Sequence, residues 1–257
     1  MVGAAFRKAL SVSHDARGFL LTSKGMNGWS CTDIPDDKTL SKAVFDGAVM
    51  PISMASKQGG THLRVLLNKP LTRREQEECF DHFAWKLNIP DGQFALVGGG
   101  YEYMTGKNRN DYTAMLEVPP DLYRVDVHIC FVGVNGPGFY EESRDTKLIP
   151  EPIGTWFRRT RPGKRLPSWL RLHCYEDPDA DPGHQEDYDD ETFDYDEAEE
   201  MADVEPVDFV VQLTPLAKAE PLPDAPQSLD RGWFDLHVNP RLLDKCPRGF
   251  QAKADDE

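Results

Sequence analysis

The stretch DLYRVDVHICF, residues 121–131, decides the fold class of this chain. Apolar and polar side chains alternate along it, and a period of two is the period of a β-strand. The stretch therefore predicts a strand with one buried face and one polar face. A substitution at Arg124, on the polar face, is expected to cost little stability. The buried positions are Tyr123, Val125, Val127, Ile129 and Phe131, and the polar positions are Arg124, Asp126, His128 and Cys130.

Short apolar runs elsewhere in the chain indicate further strands. Residues 19–21, 49–54 and 63–67 are such runs, and β-branched or aromatic residues occur in them. Two more runs flank the sequence Pro-Asp-Gly, in which proline presets φ and glycine accepts a left-handed backbone. This arrangement predicts a hairpin from 85–89 and 94–97. Two late runs, 207–213 and 233–238, are also predicted strands.

One helix is predicted, at about 72–83. Thr72 and Glu75 have the spacing of a capping box, in which each residue satisfies a backbone donor of the other. Apolar residues then recur at helical intervals, which indicates a buried stripe along the helix. Those positions are Cys79, Phe80 and Phe83.

These patterns together predict a mainly β protein. The expected architecture is an antiparallel β-sandwich or a partly closed barrel, with one short helix and long loops. No alternation of strands and helices is present that would favour a parallel α/β sheet.

The domain organisation follows from a change of composition late in the chain. Residues 1–175 are the predicted β-rich domain, and a faint internal echo leaves open two tandem β modules within it, at 1–70 and 84–135. Residues 176–205 are a predicted flexible acidic insertion that folding does not require. Residues 206–250 are strands that return to the same domain, because two or three strands are not stable alone.

The acidic character of the chain is concentrated in that insertion. The net charge is −15, but residues 176–205 contain 16 Asp or Glu and no Lys or Arg, which leaves 44 − 16 = 28 acids against 29 bases elsewhere. Such a tract is often a solvated linker. Its aromatic residues, however, provide groups that can dock on a basic partner, or on this protein's own basic segment. They are Tyr188, Phe193 and Tyr195.

A basic segment lies immediately before the acidic tract. Residues 158–171 contain six Lys or Arg and no acid, and tryptophans occur at either end. Arginines beside aromatic rings can bind phosphates and stacked bases, and pairing with the neighbouring acids is the alternative. The candidate binding residues of both segments are Trp156, Arg158, Arg159, Arg161, Lys164, Arg165, Trp169, Tyr188, Phe193 and Tyr195.

Motifs for catalysis, metal binding and membrane insertion do not occur. The glycine-rich stretch near Gly98 fails the spacing of a phosphate loop, and the acidic tract fails the spacing of a calcium loop. We therefore expect no catalytic residue, no metal and no cofactor. Five cysteines without a CxxC pair, and the absence of a 20-residue apolar run or a secretory signal, lead us to expect a cytoplasmic protein.

These observations favour a non-enzymatic protein that binds another macromolecule. Another protein, bound through the charged loops, is the expected partner, and an inhibitor or toxin-neutralising protein would have this combination of a β scaffold and charged loops. Two alternatives stay open: a nucleic-acid-associated protein that uses residues 158–171 and is restrained by the acidic tract, and an enzyme whose composite site has no sequence signature.

Overall fold

The structure is a computed structural model that describes residues 4–14, 18–24, 37–53, 59–98, 112–130, 151–182, 204–205, 207–223 and 250–251. The helices within these ranges are α1 (Asp37–Asp46), α2 (Arg73–Glu78), α3 (Ile153–Thr160) and α4 (Ser168–Glu176). The strands are β1 (Phe6–His14), β2 (Gly18–Ser23), β3 (Val49–Ser53), β4 (Gly59–Leu67), β5 (Cys79–Ile89), β6 (Gln93–Gly98), β7 (Thr113–Glu117), β8 (Asp121–Cys130), β9 (Val204–Glu205), β10 (Phe209–Pro215) and β11 (Phe250–Gln251).

Two main sheets organise these strands. The first has the order β1-β4-β10-β8-β5, the second has the order β3-β2-β6-β7, and β9 pairs separately with β11. The fold is mainly β and sandwich-like, as the alternating pattern predicts. Among the described helices, none has the length and apolar character that a membrane span requires.

The chain divides into two compact units. The first contains Met1–Leu71, His82–His128 and Phe209–Leu236, and the second contains the remaining segments, with α2, α3 and α4. Residues 153–175, which were predicted within the β-rich domain 1–175, lie in the second unit. The predicted domain boundaries at 175 and 205 stay predictions.

The apolar face of β8 is buried as its sequence predicts. Tyr123, Val125 and Val127 are fully buried, and Ile129 is almost so. The Tyr123 hydroxyl donates a hydrogen bond to the Pro119 carbonyl at 2.5 Å. Burial raises the pKa of Tyr123 to about 12, and the charge of Asp121 adds to the shift. The expected fifth position, Phe131, lies outside the described residues.

The polar face of β8 is less exposed than its sequence suggests. Arg124 and Asp126 form an ion pair with 2.8 Å between Nη2 and Oδ1, and Arg124 also donates to the Pro221 carbonyl at 2.7 Å. The His128 ring stacks on the His82 ring at 5.4 Å. The small cost expected for a change at Arg124 stays a prediction, and the ion pair and carbonyl contact that its loss would remove argue against it.

The predicted helix begins at the expected residue and ends early. Thr72 and Glu75 form the capping box, with 2.7 Å between the Thr72 amide and the Glu75 carboxylate. The helix ends at Glu78, not at 83, and Cys79 begins β5. From Phe83 onward the apolar residues also fit a period of two, and sheet pairing beside β8 decides in favour of the strand. Of the helices within the described ranges, α1, α3 and α4 were not predicted.

The predicted hairpin at Pro90-Asp91-Gly92 is instead a crossing between the sheets. The strand before it, β5, belongs to the five-stranded sheet, and the strand after it, β6, belongs to the four-stranded sheet. Gly92 has φ of 71°, and a Cβ there would lie 2.8 Å from the Val118 carbonyl oxygen. The turn chemistry was read correctly, but it does not determine which strands pair.

Strand β10 occupies the centre of the five-stranded sheet. It pairs in parallel with β4, while the strand pairs of the four-stranded sheet are antiparallel. The Phe209 ring lies 5.2 Å from the Phe19 ring of β2, which joins the two sheets through the core. The run 207–213 therefore returns to the main sheet, and the run 233–238 lies outside the described residues.

The order in which the chain visits the sheets repeats. Strands β1 and β4 belong to the five-stranded sheet, with β2 and β3 in the other sheet between them. Strands β5 and β8 repeat this arrangement, with β6 and β7 between them. Each half thus contributes two strands to each sheet, so the halves do not form separate sandwiches.

We predict that Val127→Asp lowers the free energy of unfolding by several kcal/mol, on the order of 3–5, because an unpaired carboxylate would enter the core. The matched control is Met115→Asp on β7, where the side chain is 51% exposed and the expected change is within about 0.5 kcal/mol. Urea unfolding of both variants measures the difference. Equal losses would contradict the assignment of the buried face.

Candidate functional site

The basic segment forms α3, α4 and the loop that joins them, all in the second unit. Both helices begin directly after a proline, Pro152 and Pro167, whose fixed φ suits a helix start. The Trp156 side chain is only 4% exposed and packs edge-on against Phe157, with 6.3 Å between the ring centroids. Trp156 was expected to offer a stacking surface, and it instead belongs to the core of its unit. Trp169 lies on α4, and its side chain is outside the described part.

Arg158 forms an ion pair with Asp181, an acid of the tract that follows. The Asp181 side chain is 1% exposed and the Arg158 side chain 28%. Gly154 makes room for this contact, because a Cβ on that residue would lie 2.6 Å from the Asp181 Cβ. The pairing of basic segment and acidic tract that the sequence left open as an alternative thus occurs at one defined position.

Asp181 is held there by a short folded connection. Helix α4 ends at Glu176, and the Asp177 amide donates to the His173 carbonyl at 2.9 Å. A 3₁₀ turn over Pro178–Ala180 follows. Residues 177–181 therefore form a folded connection after α4. The flexibility of residues 176–205, and whether folding requires them, stay predictions. Charge density alone did not reveal this connection, since the deciding contact lies 23 residues back, at Arg158.

The other arginines at the end of α3 also form hydrogen bonds within the protein. Arg159 donates from Nε to both carboxylate oxygens of Glu151, at 2.9 and 3.2 Å, and its side chain remains 62% exposed. Arg161 donates from Nη1 to the Thr160 carbonyl at 2.9 Å. The cations near the end of the helix also interact favourably with its dipole.

The loop between the helices carries two exposed basic groups. Lys164 and Arg165 are both exposed, and Gly163 adopts φ of 73° in the turn before them. Of the ten candidate binding residues, Arg159, Lys164 and Arg165 are thus exposed at the surface. The aromatic candidates of the tract, Tyr188, Phe193 and Tyr195, lie outside the described residues.

His173 is a buried titratable group of α4. Its Nε2 atom is buried and has no hydrogen-bond partner among the residues described. Burial lowers the pKa of His173 below its usual 6.5, and the charge of Asp177 opposes that shift. In the described part of the chain, no cluster of three His, Cys, Asp or Glu is arranged to hold a metal ion.

Comparison with known proteins gives little beyond these contacts. No family model matches the chain, and no curated protein matches it. Among solved structures, the chain is similar to one described as crocagin biosynthetic gene J, with 13% identity and a TM-score of 0.41 over 84% of this chain and 99% of that one. It is also similar to ComJ of Bacillus subtilis, an inhibitor of the DNA-degrading activity of NucA, with 10% identity and a TM-score of 0.34 over 51% and 86%. Both scores are too low to carry an inference about function.

We predict that Arg158→Ala lowers the free energy of unfolding by about 2–3 kcal/mol, because it leaves the Asp181 carboxylate buried without its cation. Arg159→Ala in the same helix should cost about 0–1 kcal/mol, because the Arg159 side chain that pairs with Glu151 is largely exposed to solvent. Denaturant unfolding of the two variants compares them. Equal losses would show that Asp181 does not depend on Arg158.

Proposed function

We propose that this protein is a non-enzymatic, inhibitor-type protein that binds another protein through its acidic tract. The observation that carries the proposal is the Arg158–Asp181 contact, which fixes the beginning of the tract to helix α3. A binding segment that is attached to a rigid element loses less entropy on association than a free tail does.

The far end of the tract is attached as well. Val204 and Glu205 form β9, which pairs with Phe250 and Gln251 of β11. Between the two attachments, residues 183–203 contain 11 acids and no base. A segment of this charge attracts a basic surface at long range and repels nucleic acid. A basic protein is therefore the partner whose charge best matches it.

The tract's composition suits a protein surface better than a bare cation. Tyr188, Phe193 and Tyr195 are interspersed among the acids, and aromatic side chains are enriched where protein interfaces gain most of their affinity. We propose that the acids accelerate the encounter and that these three rings supply contacts that persist at higher salt. The partner is then a protein with apolar pockets inside a basic surface.

The nucleic-acid alternative keeps one supporting observation, the exposure of Lys164 and Arg165. Three features weigh against it: Arg158 contacts Asp181, Arg159 contacts Glu151, and Trp156 is buried. A surface with two or three exposed cations would bind phosphates weakly and without regard to sequence.

The test compares the parent with a neutralised variant in which the 11 acids of residues 183–203 become the matching amides. The probes are cytochrome c, as a folded basic protein, and a single-stranded RNA oligonucleotide. We expect the parent to bind cytochrome c with an affinity that falls between about 50 and 200 mM salt, and the variant to bind at least about tenfold more weakly. Fluorescence or calorimetric titration measures both.

The control variant is Lys164→Ala combined with Arg165→Ala, which should bind cytochrome c as the parent does. Equal binding of cytochrome c by parent and neutralised variant would overturn the proposal. Binding of the RNA by the parent, with its loss in the control variant, would establish the nucleic-acid alternative instead.

A further inference from the structure

Two cysteines that are far apart in sequence meet in the second unit. The sulfur atoms of Cys79 and Cys130 lie 3.5 Å apart, and 51 positions separate the residues along the chain. Both thiols are free. A disulfide has a sulfur–sulfur bond of about 2.05 Å, so the two atoms would have to approach by roughly 1.5 Å.

The backbone on both sides of the pair is held in place. Cys79 caps α2, and its amide donates to the Glu75 carbonyl. The Cys130 amide donates to the Asp208 carbonyl at 2.9 Å. Cys79 begins β5 and Cys130 ends β8, and these strands are neighbours in the five-stranded sheet. The two thiols therefore meet at a fixed junction and not through mobile loops.

We propose that Cys79 and Cys130 are a modification site that a hydroperoxide converts to a disulfide. Cys79 is 8% exposed and Cys130 is fully buried, so the oxidant reaches Cys79 first. The Cys79 thiolate attacks one peroxide oxygen, the O–O bond breaks, and a sulfenic acid forms with release of water or an alcohol.

The second step closes the bridge. The Cys130 sulfur attacks the Cys79 sulfur, the S–S bond forms and the S–O bond breaks, and hydroxide leaves with the thiol proton as water. With hydrogen peroxide, two thiols are oxidised and one peroxide is reduced to two waters. No other reactant is required.

The surroundings of the two thiols slow their oxidation in the resting protein. Burial raises the pKa of the Cys130 thiol, and the hydrogen bond with Cys79 and the charges of Asp208 and Glu78 act in the same direction. A thiol that stays protonated is a poor nucleophile. The bridge therefore forms only after sustained exposure to peroxide.

The alternative is that both cysteines are only small packing groups, which is common for buried thiols. The fully reduced parent chain is treated with hydrogen peroxide, remaining thiols are alkylated, and peptides are mapped by mass spectrometry. We expect a Cys79–Cys130 linked peptide as the main bridged species, reversed by dithiothreitol. The bridge should raise Tm by roughly 5–15 °C, because it closes a long loop in the unfolded chain.

The matched control is Cys174→Ser, which removes another buried thiol and should leave the bridge unchanged. Cys130→Ser should give sulfenic or sulfinic acid at Cys79 without the linked peptide. The parent's peptide map decides the question even if that variant does not fold. Absence of the linked peptide in oxidised parent, or random bridging among the five cysteines, would overturn the proposal.

Discussion

The position of β10 in the middle of the five-stranded sheet is the constraint on which the rest of the structure depends. Strand β8 ends at Cys130 and its neighbour β10 begins at Phe209, so residues 131–208, the excursion, separate two adjacent strands along the chain. The hydrogen bond from the Cys130 amide to the Asp208 carbonyl joins the exit to the return. A central strand forms hydrogen bonds on both edges and buries both faces, so the long excursion must not disturb it.

Residues 151–182, a described part of the excursion, fold against one another. Helices α3 and α4 bury Trp156 and Phe157, and Asp181 is drawn down onto Gly154 by Arg158. A buried carboxylate is tolerated when a cation and hydrogen bonds compensate it, and it then specifies one arrangement of the chain. The acids that follow carry a charge that has no counterpart within their own segment. We therefore propose that the first acids of the tract stabilise the fold and that the later acids bind the partner.

Sequence reasoning succeeded where structure is local and failed where it depends on distant partners. The alternation of β8 and the capping box of α2 were readable, because each needs only a few consecutive residues. The end of α2 was missed because Cys79, Phe80 and Phe83 fit the helical period, whereas the period of two becomes visible only from Phe83 onward and pairing with another strand decided the outcome. The turn at Gly92 is predictable from local sequence, but packing determines that β6 joins a different sheet from β5. The contacts Arg158–Asp181 and Cys79–Cys130 join residues 23 and 51 positions apart. A pattern within a single segment cannot predict contacts between residues so far apart.

The central claim is that residues 176–182 belong to the folded body and fix the start of the acidic tract. Amide hydrogen exchange read by mass spectrometry tests it directly, because it reports backbone protection segment by segment. The account predicts that the amides of Asp177 and Ala180, which donate to the carbonyls of His173 and Asp177, exchange slowly along with those of α4, and that β10 is among the most protected segments. Exchange of 177–182 at the rate of an unfolded chain, while β10 stays protected, would contradict it.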